Sequence, residues 1–185
     1  MTDFTQLSDD DLLSRSAGGD EAAFTTLYRR RQAGIYRYAL HMSGSPATAE
    51  EVTQDVFLAL LRNFTAYDPG RGSVCGFLYG IARNHVLKSW ERNGVSGELD
   101  DEMPSGTCVW TEYTRQELIE GVRQAVTKLP AAYREPVVLC DLQEMSYAEA
   151  SEVLGVPVGT VRSRLSRGRA LLAGKLKVGC LYETR

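Results

Sequence analysis

Apolar residues recur along most of the chain at the three- and four-residue spacing of an amphipathic helix, and no segment shows the alternation typical of a β-strand. Asp20 is a suitable N-cap for a helix, and Ser45 followed by Pro46 is a good helix start. In the first half we expect helices over residues 8–17, residues 21–42, a segment that starts at Ser45, and residues 74–92. Their expected inward-facing residues include Phe24, Leu27, Ile35, Tyr38, Val52, Val56, Leu60, Phe64, Phe77, Leu78, Ile81 and His85.

The helical spacing is lost between residues 93 and 107, where glycine, serine, proline and acidic residues gather. This composition is typical of a linker between domains. Helices are predicted again over residues 111–128 and 131–142, on either side of a break at Leu129 and Pro130. The sequence therefore predicts an all-α chain, in which a flexible acidic linker joins two small helical domains.

Residues 146–169 carry the local signals of two consecutive helices. Ser146 and Glu149 form a capping-box pattern in front of a short helix, which Gly155 can end in a left-handed conformation. Pro157 then suits the first turn of a second helix, whose serine and arginine side chains point away from its apolar face. That apolar face consists of Val161, Leu165 and Leu172. The pattern favours a helix-turn-helix, and the alternative is an ordinary helical hairpin with a solvated basic face.

Charge is distributed unevenly along the chain. The net charge of −3 would oppose nucleic-acid binding if it were spread evenly. Residues 153–182, however, hold six basic side chains and no acidic one, whereas residues 94–120 hold seven acidic side chains and one arginine. This asymmetry indicates a polyanion-binding face in the second half and an acidic connector before it.

Several classes of protein are disfavoured by what the sequence lacks. There is no run of 18 or more apolar residues and no signal-peptide pattern, so we expect a cytosolic protein. Neither a P-loop, a dinucleotide glycine motif, a zinc-protease motif nor a nucleophile elbow occurs. We therefore expect no catalytic residue, cofactor, metal ion or small-molecule substrate. Four cysteines lie far apart and are expected to be reduced thiols: Cys75, Cys108, Cys140 and Cys180.

The second half closely resembles region 4 of the extracytoplasmic-function (ECF) sigma factors, which are group IV proteins of the sigma-70 type. The resemblance lies in residues 146–169, which begin Ser-Tyr-Ala-Glu-Ala and end Arg-Ser-Arg-Leu-Ser-Arg-Gly-Arg, and in residues 129–135 before them. It implies that the second helix enters the major groove of the promoter −35 element, where arginine reads guanine and contacts phosphates. The implied DNA contacts are Thr160, Arg162, Ser163, Arg164, Ser166 and Arg167.

Residues 49–61 carry a polar stripe opposite an apolar one. A solvent-exposed face without further function is one interpretation of this stripe. The segment also resembles sigma region 2.2, which docks on the clamp helices of the largest polymerase subunit. The polymerase contacts that this resemblance implies are Glu51, Gln54, Asp55 and Leu58.

Residues 64–84 are similar to sigma regions 2.3 and 2.4, which capture bases of the separated −10 strand. Trapping an exposed base requires aromatic surfaces, polar pockets and basic groups for the backbone. Phe77 stands where relatives commonly have tryptophan, and its helical spacing places it in the core. The residues implied in −10 recognition are Tyr67, Asp68, Ser73, Tyr79, Arg83, Asn84 and Lys88.

The resemblance implies four segments: region 2 over residues 1–92, a linker over 93–112, region 4 over 113–178 and a tail over 179–185. Its implied partners are core RNA polymerase, promoter DNA and an anti-sigma protein that wedges between regions 2 and 4 and holds the factor inactive. A membrane-bound inhibitor of this kind would sequester the factor at the inner face of the membrane. Joined by a flexible linker, the two free domains are expected to leave their polymerase-binding surfaces open. The rival function is a stand-alone helix-turn-helix regulator, and an enzyme is a more remote alternative.

Overall fold

A computed structural model describes residues 4–92 and 115–180 of the chain, and these residues contain helices and turns but no strand. This confirms the all-α prediction, whereas the predicted linker lies outside the described residues. The first half contains α1 (Asp9–Ala17), α2 (Glu21–Ser43), α3 (Pro46–Arg62) and α4 (Val74–Arg92). The second half contains α5 (Arg115–Thr127), α6 (Ala131–Pro136), a π-helical segment (Val137–Leu142), α7 (Tyr147–Leu154) and α8 (Val158–Cys180).

Local signals in the sequence set where the helices of the first half begin. The Asp20 carboxylate accepts hydrogen bonds from the backbone N–H groups of Ala22 and Ala23, at 3.0 and 3.1 Å. The Ser45 hydroxyl caps α3 in the same way, and Pro46 occupies the first turn. These contacts satisfy donors that a helix start otherwise leaves unpaired. The predicted starts of α2 and α3 are confirmed.

The core of the first half lies where α2 packs against α1, α3 and α4. The predicted inward face of α4 is partly wrong: Leu78 is buried, but Phe77, Ile81 and His85 are only half-buried. Apolar side chains occur on both sides of this helix, so spacing alone does not fix its rotation. Phe64 lies beyond the end of α3, in a short 3-10 turn. The residues of α4 that do face the core are Val74, Leu78, Ala82, Val86 and Trp90.

The second half has a small core of its own, built from Leu129, Val137 and Leu165. Gly168 allows α8 to lie close to α6, since a Cβ there would lie 2.7 Å from Val137 Cγ2 and 2.9 Å from the Tyr133 carbonyl oxygen. Pro136 is the last residue of α6 and has no backbone N–H to donate, and the π-helical segment follows directly after it. Three large core residues bury too little surface to stabilise a domain of this length alone.

The two halves pack against each other. Helix α4 contacts α7, and α2 contacts both α5 and the π-helical segment. Ala150, Val153 and Leu154 of α7 belong to the same buried cluster as Leu78 and Val86 of α4. The two predicted domains are therefore in contact with each other within the described residues. The physical reason is that the second half completes its burial of apolar surface against the first.

Candidate nucleic-acid interface

The helix-turn-helix is formed by α7, a tight turn and α8. The Ser146 hydroxyl accepts from the Glu149 N–H at 3.2 Å, and the Glu149 carboxylate accepts from the Ser146 N–H at 3.0 Å, which completes the predicted capping box. Gly155 ends α7 with φ of 65°, a left-handed value that suits glycine. The Ser151 hydroxyl donates to the Val156 carbonyl at 2.6 Å and fastens the turn.

The outer face of α8 presents its polar residues to solvent. Val161, Leu165 and Gly168 are buried on the opposite side, as the spacing predicts. Arg162, Ser163, Ser166 and Arg167 are exposed, while Thr160 and Arg164 are half-buried. All six residues implied in −35 recognition therefore lie in the first half of one helix, outside its apolar stripe.

The arginines of α8 fall into two groups. Arg169 makes a two-point ion pair with Asp141, at 2.6 and 3.0 Å, and so fastens α8 to the π-helical segment. Among the described residues, no carboxylate pairs with Arg162, Arg164 or Arg167, and Arg162 lies 5.6 Å over the ring of Tyr147. Three cations without a carboxylate partner are available on this face to meet an anion.

A cleft of about 320 Å³ lies between α4, the turn before it and α7. Four of the residues implied in −10 recognition line this cleft: Tyr67, Asp68, Ser73 and Asn84. Arg71 also lines it, although it is not among the residues that the sequence predicts for this site. Its place in the turn between Pro69 and Gly72 was the signal that could have identified it.

Tyr67 is held at the rim of this cleft. Its hydroxyl donates to the Asp10 carboxylate and lies 3.0 Å from the Gly72 carbonyl oxygen. Partial burial, together with the hydrogen bond to Asp10 and the charges of Asp10 and Asp68, raises the pKa of Tyr67 to about 12. The ring of Tyr67 lies 5.6 Å from that of Phe77, which is half-buried, packs against the core and also lines the cleft. The cleft thus combines two aromatic rings with polar and basic groups.

The other three residues implied in −10 recognition are not brought into the cleft. Tyr79 is only 6% exposed and donates to Gln143 Oε1 at 2.9 Å, so the interpretation of Tyr79 as an open aromatic surface is wrong in this arrangement. Burial raises the pKa of Tyr79 to about 12. Arg83 forms an ion pair with Glu135 at 2.7 Å, across the contact between the two halves. Lys88 is exposed on α4, one turn beyond Asn84.

The polar stripe of α3 is open in this structure. Glu51, Gln54 and Leu58 are exposed, and Asp55 is half-buried. Glu51 pairs with Arg92 at 3.2 Å, and the Asp55 carboxylate lies 3.2 Å from His85 Nδ1. Leu61, one turn after Leu58, is 47% exposed and was missed by the sequence analysis, although its spacing signalled it. The stripe is an exposed surface of acidic, amide and leucine side chains.

No helix among the described residues has both the length and the apolar composition that crossing a membrane requires.

Both halves of the chain match families of known proteins. Residues 27–95 match the model of sigma-70 region 2, and residues 119–172 match that of sigma-70 region 4. The chain is 31% identical to the ECF RNA polymerase sigma factor SigW of Bacillus subtilis, over 86% of this chain and 91% of SigW. It is 35% identical to SigE of Mycolicibacterium smegmatis over 84% of this chain, but spans only 63% of the length of that relative.

Solved structures are similar over both halves together. CnrH, in its complex with the cytosolic domain of CnrY, matches with a TM-score of 0.71 and 27% identity over 91% of this chain and 97% of CnrH. The sigma factor RpoE of Bartonella quintana, in complex with the anti-sigma factor NepR, has the same fold, with a TM-score of 0.68 and 24% identity over 84% of this chain and 97% of RpoE. On the identity and coverage shared with SigW and on the match to both regions, the chain belongs to the ECF RNA polymerase sigma factors of the sigma-70 family.

Proposed function

We propose that this protein is an alternative sigma factor of group IV. It binds core RNA polymerase, recognises the −35 and −10 promoter elements and promotes DNA melting, and it catalyses no reaction of its own. The observation that carries the proposal is that one chain holds a basic helix-turn-helix face, a cleft with aromatic walls and an exposed stripe on a third helix. A stand-alone helix-turn-helix regulator would have no use for the cleft or the stripe.

In this proposal α8 reads the −35 element. Its N-terminal half enters the major groove, where an arginine contacts guanine N7 and O6 or a backbone phosphate. The absence of carboxylate partners at Arg162, Arg164 and Arg167 within the described part of the chain supports this role, because these cations need break no ion pair to meet DNA. Thr160, Ser163 and Ser166 supply hydroxyl groups beside them.

The α4 cleft captures a base of the non-template −10 strand. Tyr67 and Phe77 provide aromatic faces, while Ser73, Asn84 and Arg71 provide hydrogen-bonding and basic groups. Stacking on such a surface is worth about 1–3 kcal/mol per base, which supplies part of the melting energy. Tyr79, Arg83 and Lys88 contribute to the same strand once the halves separate. No nucleotide hydrolysis is required.

The stripe of α3 docks on core polymerase through Glu51, Gln54, Asp55 and Leu58. Its exposure supports this role, as does the apolar neighbour Leu61. Residues 1–92 and 113–178 act as the two binding domains, and the acidic residues 93–112 pass between them toward the path that RNA will take. The tail is formed by residues 179–185.

We further propose that an anti-sigma protein controls the factor in the cytoplasm, where a membrane-attached inhibitor would sequester it. The similarity to CnrH, whose structure is known in complex with CnrY, supports this idea. The inhibitor would cover the α3 stripe together with the basic face of α8, and its binding would exclude core polymerase. A pull-down from the host, followed by competition with core polymerase, tests this. Recovery of polymerase subunits alone from stressed and unstressed cells would contradict it.

Run-off transcription with purified core polymerase tests the main proposal. Added protein should give initiation at specific promoters, whereas the protein alone should bind DNA only at the non-specific affinity of about 10⁻⁴–10⁻⁶ M at physiological salt. If the protein alone bound a palindromic site at nanomolar affinity and core polymerase added nothing, the stand-alone regulator would replace this function.

A further inference from the structure

Tyr147, the first residue of α7, connects the two helices of the helix-turn-helix through its side chain. The guanidinium of Arg162 on α8 lies over its ring at 5.6 Å, within the roughly 6 Å over which an aromatic face attracts an arginine. Tyr147 is 37% exposed and, within the described part of the chain, belongs to neither buried apolar cluster. Packing in a core therefore does not account for an aromatic residue at this position.

The hydroxyl end of Tyr147 meets a second arginine of α8. Arg169 donates to both carboxylate oxygens of Asp141, at 2.6 and 3.0 Å. These hydrogen bonds and the charge of Asp141, with a smaller contribution from a hydrogen bond to the Tyr147 hydroxyl, raise the pKa of the Arg169 guanidinium. Arg162 and Arg169 are about two turns apart on α8, so Tyr147 lies against one side of that helix between them.

Local contacts fix the backbone that carries Tyr147. The Glu149 carboxylate accepts from the N–H of Ser146 at 3.0 Å and from its hydroxyl at 2.8 Å, directly before Tyr147. The ring is thus placed by the capping box at its base and by Arg169 at its tip. Arg162 is exposed, and its guanidinium has no carboxylate partner among the described residues, so the ring is the contact that limits its rotamers.

A contact of this kind holds an arginine without using its hydrogen-bond donors. A carboxylate partner would occupy the N–H groups of Arg162, whereas the attraction to a ring acts on the charge of the guanidinium and leaves those groups available. The same N–H groups are the ones with which an arginine contacts N7 and O6 of guanine. A side chain that is already ordered also loses less conformational entropy when it binds.

The position of Arg162 along α8 favours a contact with a base. It is the fifth residue of this helix, which begins at Val158. In a helix-turn-helix, the residues near the N-terminus of the second helix are those that contact base edges in the major groove. The orientation of Arg162 therefore bears on which base pair is accepted.

We propose that Tyr147 is a positioning residue of the −35 reader, whose ring orients Arg162 toward a base edge and so sets the specificity at one base pair. Tyr147 acts through Arg162 and needs no DNA contact of its own for this role. The inference rests on the proposed function, because it adds a residue of α7 to the recognition that is proposed for α8.

The test measures binding of holoenzyme to a promoter mapped by the run-off experiment and to versions in which each −35 base pair is replaced in turn. Arg162→Ala identifies the base pair that Arg162 reads. At that base pair, Tyr147→Leu should reduce discrimination roughly two- to fivefold, the equivalent of one exposed cation–π contact, and should leave the other base pairs unchanged. Tyr147→Phe keeps the ring and should retain the discrimination. Tyr147→Met replaces the leucine variant if circular dichroism shows that the latter does not fold.

A double-mutant cycle shows whether Tyr147 acts through Arg162. In the Arg162→Ala background, Tyr147→Leu should cause no further loss of discrimination at the same base pair. Arg167→Ala provides the matched control, because Arg167 is exposed on the same helix but does not lie over the ring of Tyr147. The effects of Arg167→Ala and Tyr147→Leu should be additive.

The pattern of losses separates the possible failures. If Arg162→Ala or Tyr147→Leu weakens binding to every promoter version equally, the residue acts on phosphates or on stability. In that case the inference is wrong and the proposed function stands. The inference is equally wrong if Tyr147→Phe loses as much discrimination as Tyr147→Leu, or if the losses from Tyr147→Leu and Arg162→Ala are additive. If wild-type holoenzyme does not discriminate among the −35 versions, the assignment of α8 to this element is wrong, and the inference is wrong with it.

Discussion

The outer face of α8 and the α4 cleft are both proposed to bind DNA, but they differ in whether their side chains already have partners within the chain. On α8, Arg162 and Arg167 are exposed, and no carboxylate among the described residues pairs with them. Beside the cleft, Arg83 is paired with Glu135 and Tyr79 is buried against Gln143. The difference lies in which face the second half turns toward the first. If the proposed function is right, the α8 face can meet duplex DNA with its side chains as they stand, whereas Arg83 and Tyr79 can contact a DNA strand only by giving up these partners.

The strongest way to break this comparison is to remove Arg134, which links the halves. Its guanidinium donates to the carbonyls of Met42, Thr127 and Leu129 and lies 5.6 Å over the Trp90 ring. Arg134→Ala should lower the free energy of unfolding by about 3 kcal/mol or more, because charge-assisted hydrogen bonds contribute about 1.5–3 kcal/mol each.

Urea denaturation measures this loss, with Arg62→Ala as the control. Arg62 is exposed at the end of α3, and its removal should cost less than about 0.5 kcal/mol. Equal losses in the two variants would show that Arg134 does not hold the halves together.

Gly168 tests whether the α8 face depends on close packing behind it. Gly168→Ala should destabilise the protein by about 1–3 kcal/mol, since the new Cβ would press on Val137 and the Tyr133 carbonyl. Gly159→Ala is the control on the same helix, because its Cβ would meet nothing within 4 Å. That control should be neutral or stabilising by roughly 0.4–1 kcal/mol. If thermal unfolding shows that Gly168→Ala and Gly159→Ala lower the midpoint temperature equally, the packing argument is wrong.

On α8, substitution of single arginines should distinguish a base contact from a phosphate contact. Arg164→Ala, if Arg164 contacts a base, should cost about 1–3 kcal/mol of binding and relax specificity at one −35 position. If Arg167 contacts a phosphate, Arg167→Ala should weaken all sequences alike and reduce the salt slope by about one. Holoenzyme binding to promoter variants across a salt series measures both. No effect from either change would remove α8 from the groove.

The α3 stripe is exposed while the two halves are in contact, so its proposed binding to core polymerase should not depend on their separation. Asp55→Lys should weaken core-polymerase binding roughly tenfold at low salt, because it reverses a charge at the proposed interface. Its effect on folding should be small, since Asp55 is part-exposed and has one contact with His85. Glu91→Lys is the control, as Glu91 is an exposed carboxylate on a different helix, α4. A competition assay in which the two variants bind core equally would return the stripe to an ordinary solvated face.

The smallest expected effect is a dependence of stability on pH through His41. Burial lowers the pKa of His41, and the charges of Arg123 from the second half and Arg37 lower it further. Below about pH 6.5 the unfolded chain therefore binds a proton that the folded chain resists, so the free energy of unfolding falls as the solution is acidified. His41→Gln should flatten this dependence between pH 5 and about 6.5 and leave it unchanged above. Parallel curves for wild type and variant would exclude His41 as the source.

Much of the protein follows from local sequence. The start of α2 at Asp20 and the capping box at Ser146 and Glu149 are confirmed, as is the left-handed turn at Gly155. The helix-turn-helix and the exposed α3 stripe are likewise as the spacing predicts. These features depend on neighbours within about four residues, so side-chain type and spacing are sufficient to determine them.

Other features are decided only when distant parts of the chain meet. The rotation of α4 depends on which of its two partly apolar sides packs on α2. The sequence alone selected Leu78 correctly, but it also selected Phe77, Ile81 and His85, which are only half-buried. In the sequence, Tyr79 and Arg83 have no evident partner. In the fold they contact Gln143 and Glu135, which lie more than fifty positions further along the chain. The two halves pack together because the core of the second half is small. Apolar surface that this core leaves exposed is removed from water when the first half covers it, and this burial is favourable. The spacing of apolar residues along the sequence predicts which residues are buried. Which residues they pack against is determined only by the tertiary structure.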